Sequence, residues 1–199
     1  MNTSVSETRS DSRAARLKVL THDTHDRLDT SIMAAAAFDS VEGYARFAEV
    51  QYLFHRDLDA LYDDAGLQAL LPGLADRRRS GLIAADLRDL GRGLPETDDV
   101  PAFTAGAVDG PTALGWLYVA EGSNMGAALL RKAVAKIGLS DDYGARHLAP
   151  AEEGPAAHWR AFTAALNAVS LTDEEDARVI SGANAAFARV QALADARLG

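Results

Sequence analysis

Between residues 44 and 61 the side chains Tyr44, Phe47, Gln51, Phe54, Leu58 and Leu61 recur at spacings of 3, 4, 3, 4 and 3. That interval is the repeat of one helical face and not of a strand, so the chain must bury this stripe against other helices. Leu17, Leu20, Leu28 and Ile32 make a similar stripe on a helix expected from Ser12 to Ala37. Asp39 and Glu42 have the spacing of a capping box and should open the second helix. A third follows Pro72 and Gly73 and ends near Gly91; a fourth, with Pro111 in its first turn, should run from 112 to Ile137 and stop at Gly138. Trp159, Phe162, Leu166 and Val169 mark a fifth, and Thr172 with Glu175 caps a sixth that runs to the end. Residues 91–111 and 140–155 read as loops, and no segment alternates as a strand would. The expected class is all-α, as a single compact multi-helix domain over residues 11–199 behind a disordered polar tail, residues 1–10.

Composition narrows the function. Net charge is −9, which repels a phosphate backbone, so nucleic acid is not an expected partner. With no cysteine, a thiolate metal site and a cysteine nucleophile are both excluded, and any metal must be held by His or carboxylate. No signal peptide opens the chain and no stretch approaches the roughly 18 to 20 apolar residues of a membrane span. A soluble cytoplasmic monomer is expected.

Three groups of residues break the helical pattern in ways that invite chemistry. The first is "EGSNMGA", residues 121–127, within the long fourth helix. Gly122 and Gly126 each cost a helix about 1 kcal/mol relative to alanine, and Gly115 lies on the same face. A stripe of glycine permits either close packing of another helix or close approach of a flat ligand to the main chain. Ser123 and Asn124 compete for backbone hydrogen bonds and favour a bend. The second is "LKVLTHDTHDRLD", residues 17–29, where Lys18 and His25 sit two turns apart and His22 points further toward solvent. Such a pair is either ordinary surface or an iron ligand with a cation for an acidic ligand edge. The third is Gln51, a polar residue in an apolar seam, with His55 one turn on; they hold water over a site or satisfy each other. His147 and His158 are weaker candidates, and Arg77–Arg79 reads as a solvated face.

Taken together, "LKVLTHDTHDRLD", "ALGWLYVAEGSNMGAALL", "GARHLA" and "HWRAFTAAL" resemble the bacterial heme oxygenase family, of the biliverdin-producing, iron-acquisition type. Met125 stands where such proteins are expected to carry Leu, a change that conserves volume. The resemblance implies that heme b is both substrate and cofactor, cleaved with O2 to biliverdin, CO and ferrous iron. Electrons would come from an external ferredoxin or ferredoxin reductase. It makes His25 the proximal iron ligand, and Lys18, Tyr118 and Lys132 contacts for the heme propionates. Gly122, Ser123, Asn124 and Gly126 become the kinked distal helix over the heme face, and Asp29, Gln51 and His55 an ordered-water network beyond it. Two rivals stand beside this reading: a heme-binding carrier or sensor that does no chemistry, and a thiaminase-like enzyme of similar helical fold without heme.

Overall fold

The computed structural model describes residues 12–35 and 37–199; the expected tail at residues 1–10 lies outside them. Among the described residues there are eight α-helices and no named strand: α1 (Arg13–Leu20), α2 (His22–Ala34), α3 (Val41–Tyr62), α4 (Ala65–Leu70), α5 (Ser80–Asp89), α6 (Gly110–Ala135), α7 (Pro155–Ala168) and α8 (Asp173–Leu198). Short 3-10 turns cover Leu74–Arg77 and Arg146–Leu148. The all-α class holds, and no helix among the described residues is long and apolar enough to cross a membrane.

The expected first helix is divided. Thr21, buried at φ −107° and ψ 1°, turns its hydroxyl back to donate to the Leu17 carbonyl at 2.8 Å, and α1 ends there. Serine and threonine hydroxyls compete locally with the helical ladder, a signal that periodicity alone does not carry. At α3 the cap is Ser40 and not Asp39. Ser40 is extended (φ −151°, ψ 156°), and its Oγ accepts from the Gly43 N–H at 3.0 Å. The third expected helix divides into the 3-10 turn at 74–77 and α5, while α4, capped by Asp64, stands where no helix was expected. Thr172 and Glu175 form the capping box as expected, and Gly138, at φ 87°, ends the long helix by donating to the Ala135 carbonyl at 3.2 Å.

Helix α8 is the hub, packing most extensively on α6 and also on α3, α2 and α1. Its contact with α6 is nearly backbone on backbone. A Cβ built on Gly115 would lie 2.1 Å from the Val179 carbonyl oxygen, and one on Gly182 would lie 2.3 Å from that of Thr112. Gly115 is thus a packing glycine and does not belong to a ligand face. Polar anchors fix the periphery: buried Arg13 donates to Asp176 and to the carbonyls of Leu166 and Val169, which ties α1 to the α7–α8 corner. Arg189 on α8 donates to the fully buried Asp57 of α3 at 2.7 Å and to Asp99 of the long loop at 2.9 Å.

Gly182→Ala forces α6 and α8 apart and should lower stability by about 1–3 kcal/mol. Denaturant unfolding should show a lower midpoint; an unchanged midpoint would remove the glycine contact as the organising feature of the core.

Candidate active site

His25 sits on α2 with half its side chain exposed. Its ring meets the edge of Phe187 from α8 at a centroid distance of 5.8 Å, and its Nδ1 lies 3.4 Å from Asp29 Oδ2, one turn on. Nε2 is left without a partner among the described residues. His22 is further exposed and faces Asp26 at 3.4 Å. Lys18 is exposed on α1 but is not on one continuous helix with His25, because the break at Thr21 intervenes. Asp29 therefore stands at the imidazole; among the described residues no hydrogen bond joins it to Gln51 or His55.

The glycine segment lies where α6 leaves the core. Residues 113–121 are buried, whereas Ser123, Met125, Gly126 and Leu129 are exposed. A Cβ on Gly126 would meet nothing within 4 Å, and one on Gly122 would make an ordinary 3.7 Å contact with the Trp159 ring. The helix is continuous from 110 to 135, with Ser123 Oγ donating to the Ala120 carbonyl at 2.7 Å, a back-bond of the kind that bends helices slightly. Tyr118 is buried against Trp159, centroids 5.5 Å apart, and burial pushes its phenol pKa up. Lys132 is exposed in the last turn of α6 beside Arg131, which pairs with Asp141.

Gln51 is half-buried and makes no hydrogen bond among the described residues, so it does not satisfy His55. His55 is buried and its Nδ1 has no protein partner. Burial first, then the charges of His147 and Arg79, push the His55 pKa down to about 3, and the ring stays neutral.

Sequence reasoning missed a buried charge cluster directly beneath this segment. Arg77, expected in a solvated face, has a side chain only 8% exposed and donates to Glu121, whose side chain is 2% exposed. It also meets His158 Nε2 at 2.8 Å, while His158 Nδ1 faces Glu153 at 2.7 Å. Arg79 donates to the carbonyls of His147 and Ala149. The available signal was the "E" of "EGSN": an acid at a position that periodicity buries demands a cation, and the arginine run supplies one.

Known proteins match this arrangement along almost its whole length. Residues 11–196 match the heme oxygenase family. The heme oxygenase PigA of Pseudomonas aeruginosa is 42% identical over 182 residues, covering 92% of this chain and 91% of that one. The chain belongs to the heme oxygenase family. A crystal structure of the NO- and CO-bound heme oxygenase from Neisseria meningitidis superposes with a TM-score of 0.88 at 40% identity, over 95% of this chain and 93% of that one. The heme oxygenase of Leptospira interrogans, 16% identical with a TM-score of 0.71 over 92% of this chain and 98% of that one, shares the fold.

The residues present fit heme. An imidazole nitrogen without a protein partner is available on α2, and α6 offers bare backbone at Gly126 where even a methyl group would touch nothing. Leu20 on α1, Met33 on α2, and Met125 and Leu129 on α6 are exposed apolar side chains for which water is a poor neighbour. Helices α2 and α6 make little direct contact with each other, and both pack on α8.

Two measurements test this heme oxygenase site without turnover. Because no atom lies near a Cβ at position 126, Gly126→Ala should stabilise the apo protein by up to about 1 kcal/mol through helix propensity, while Gly126→Leu should weaken hemin binding; tighter hemin binding by the Leu variant would contradict a bare wall. His55 resists protonation in the fold, with a pKa of about 3 against 6.5 in the unfolded chain. Its contribution is therefore complete above pH 6.5 and is lost as pH falls from there toward 3, at up to about 1.4 kcal/mol per pH unit. His55→Gln should flatten the acid limb of the stability curve, read by urea unfolding between pH 4 and 7.

Proposed function

We propose that this chain is a heme-degrading monooxygenase that cleaves heme to biliverdin, CO and ferrous iron with O2 and electrons from an external reductant. One observation carries the reading: an imidazole unpartnered at Nε2 and a helix segment with open space over Gly126 stand on two helices that both pack on a third. Bound heme supplies both the iron at which O2 is reduced and the macrocycle that is oxidised.

The chain's residues then have separate tasks. His25 would hold the iron through Nε2, with Asp29 beside Nδ1 to orient the ring and raise its basicity. Lys18 and Lys132 supply cations, and Tyr118 a phenol, for the two propionates. Gly122, Ser123, Asn124 and Gly126 would present main chain to the heme, and neither glycine would supply it with an acid or base. Gln51 and His55 hold water from which the proton for oxygen reduction comes; a neutral imidazole can both donate and accept, which a cation could not. Bare main chain is what favours cleavage over storage, since a carrier or sensor needs the ligand and the propionate cations but no side-chain-free wall.

A ferredoxin or ferredoxin reductase is the proposed electron donor, with Lys132 as part of its docking surface. The enzyme is read as a cytoplasmic monomer that recovers iron from heme. Reconstitution with hemin, followed by reduction in air and chromatography of the products, should yield biliverdin; return of intact heme would identify a carrier instead. His25→Ala should lose the histidine-ligated heme spectrum and turnover by at least about 100-fold, whereas His22→Ala should retain both. The opposite pattern would move the ligand to His22.

A further inference from the structure

Two consecutive residues of α7 rest on two consecutive residues of α6. Trp159 lies against Gly122, its ring 3.7 Å from where a Cβ there would stand, and His158 lies against Glu121, its Nε2 3.4 Å from Oε2. Arg77 closes the group. Besides Glu121 it donates to the His158 carbonyl at 3.3 Å, and its guanidinium lies over the ring of Phe162, one turn further along α7. On the outer side His158 Nδ1 meets, at 2.7 Å, Glu153, whose side chain is half exposed. The imidazole thus stands between a buried carboxylate beside the glycine segment and one that water reaches, and the reaction described above gives it no task.

The ring can satisfy this setting in two ways. Arg77 Nη1 stands 2.8 Å from Nε2. A guanidinium only donates, so this contact is a hydrogen bond when Nε2 is bare and the proton sits on Nδ1, directed to Glu153. A second proton, on Nε2, ends that bond and leaves Glu121 as the acceptor within reach, so that Glu121 is held by two cations instead of one. Hydrogen bonding to Glu121 first, and to Glu153, pushes the His158 pKa up against burial and the Arg77 charge. Asp76, Arg78, Arg79 and Arg146 are the other charges around the cavity of about 200 Å³ that His158 lines. Arg78 pairs with Asp63, Arg146 with Asp86 and Asp89 of α5, and Asp86 also meets His147 Nδ1 at 2.8 Å. Among the described residues none of these bonds to the imidazole.

We propose that His158 is a positioning residue for the glycine segment of α6, and that its second proton tightens the hold on Glu121 and thereby fixes Gly122 and Gly126 against bound heme. The inference rests on the proposed placement of that segment at the heme face. Limiting the freedom of a binding surface before its ligand arrives strengthens binding, so the charged ring favours retention of heme and the neutral ring favours release. The raised pKa gives the sign: the contribution of the second proton is complete below the ordinary imidazole value of about 6.5 and is lost as pH rises through the raised one. Coupling is reciprocal, so bound heme must raise the His158 pKa further.

Nuclear magnetic resonance tests this reciprocity on the unaltered chain. His158 is titrated alone and with gallium protoporphyrin, a diamagnetic stand-in for hemin; a higher pKa in the complex is expected, and equal values overturn the proposal. Hemin dissociation into excess apomyoglobin between pH 6.5 and 9 reads the effect on the ligand. From the wild type the rate should rise about twofold to fivefold across the His158 transition. His158→Gln, whose amide oxygen can accept from Arg77 but which gains no proton, should start at the fast rate and stay there. Because His25 must also be unprotonated to ligate iron, only the difference between the two proteins is read. Glu153→Gln, a change at an exposed side chain, should move the transition to lower pH without abolishing it. A rate from His158→Gln that follows the wild type at every pH, or an unmoved transition in Glu153→Gln, would leave His158 a structural residue. The placement of the glycine segment fails separately, if Gly126→Leu binds hemin as the wild type does.

Discussion

The contact between α6 and α8 at Gly115 and Gly182 sets the positions of everything else. With no Cβ on either side the helices approach until backbone meets backbone, and two 26-residue helices become one rigid unit. Helix α8 then carries Phe187 to the edge of His25 and Arg189 to Asp57. Helices α2 and α6, which carry the two halves of the proposed heme site, are both referred to α8, so their placement is set by close packing and not by the loops.

A second constraint sits where α6 emerges. At Gly122 and Gly126 the helix has no side chain with which to define its own place, and glycine gives the backbone freedom that must be limited elsewhere. The turn before it carries Glu121, locked by Arg77 and His158, with Arg77 also lying over the Phe162 ring at 5.6 Å. A buried ion pair is a poor source of net stability, since desolvation offsets its attraction, but removing one partner leaves a charge that cannot be hydrated. The cluster therefore acts as a register pin: it penalises any slip of α6 more than it stabilises the fold.

Much of this was legible in the sequence, and the failures have a common cause. Helical periodicity located α3, α6, α7 and α8, and the Thr172–Glu175 box was found because capping is local chemistry. The break at Thr21, the Ser40 cap and α4 were missed because each turns on one local hydrogen bond that rival residues nearby could equally make. Among the site residues, His25 and the Gly122–Gly126 segment stood out because both are costly or unusual on a helix. Asp29 was assigned to the water beyond Gln51, yet it faces His25 Nδ1, a neighbour that its i, i+4 spacing already made available. Arg77 read as part of a solvated face, His147 only as a weaker candidate and Asp86 not at all, because their partners lie 44 or more residues away in the chain.

Three of the glycines of α6, Gly115, Gly122 and Gly126, show how one physical property serves opposite ends. Counting around the helix puts Gly115, Gly122 and Gly126 on one stripe and offers two explanations for all of them, helix packing or ligand approach. Each explanation holds for a different part of the stripe. At Gly115 a methyl group would collide with α8, at Gly122 it would rest on Trp159, and at Gly126 it would meet nothing. A bare surface at Gly126 loses helix propensity without any compensating contact inside the protein, which close approach of the proposed heme would offset. The packed half of α6 makes that open half tolerable: an isolated helix with glycines at such spacing would fray, but one clamped to α8 at Gly115 and pinned at Glu121 has already met its nucleation cost. Rigidity at one end of the helix is the condition for bareness at the other.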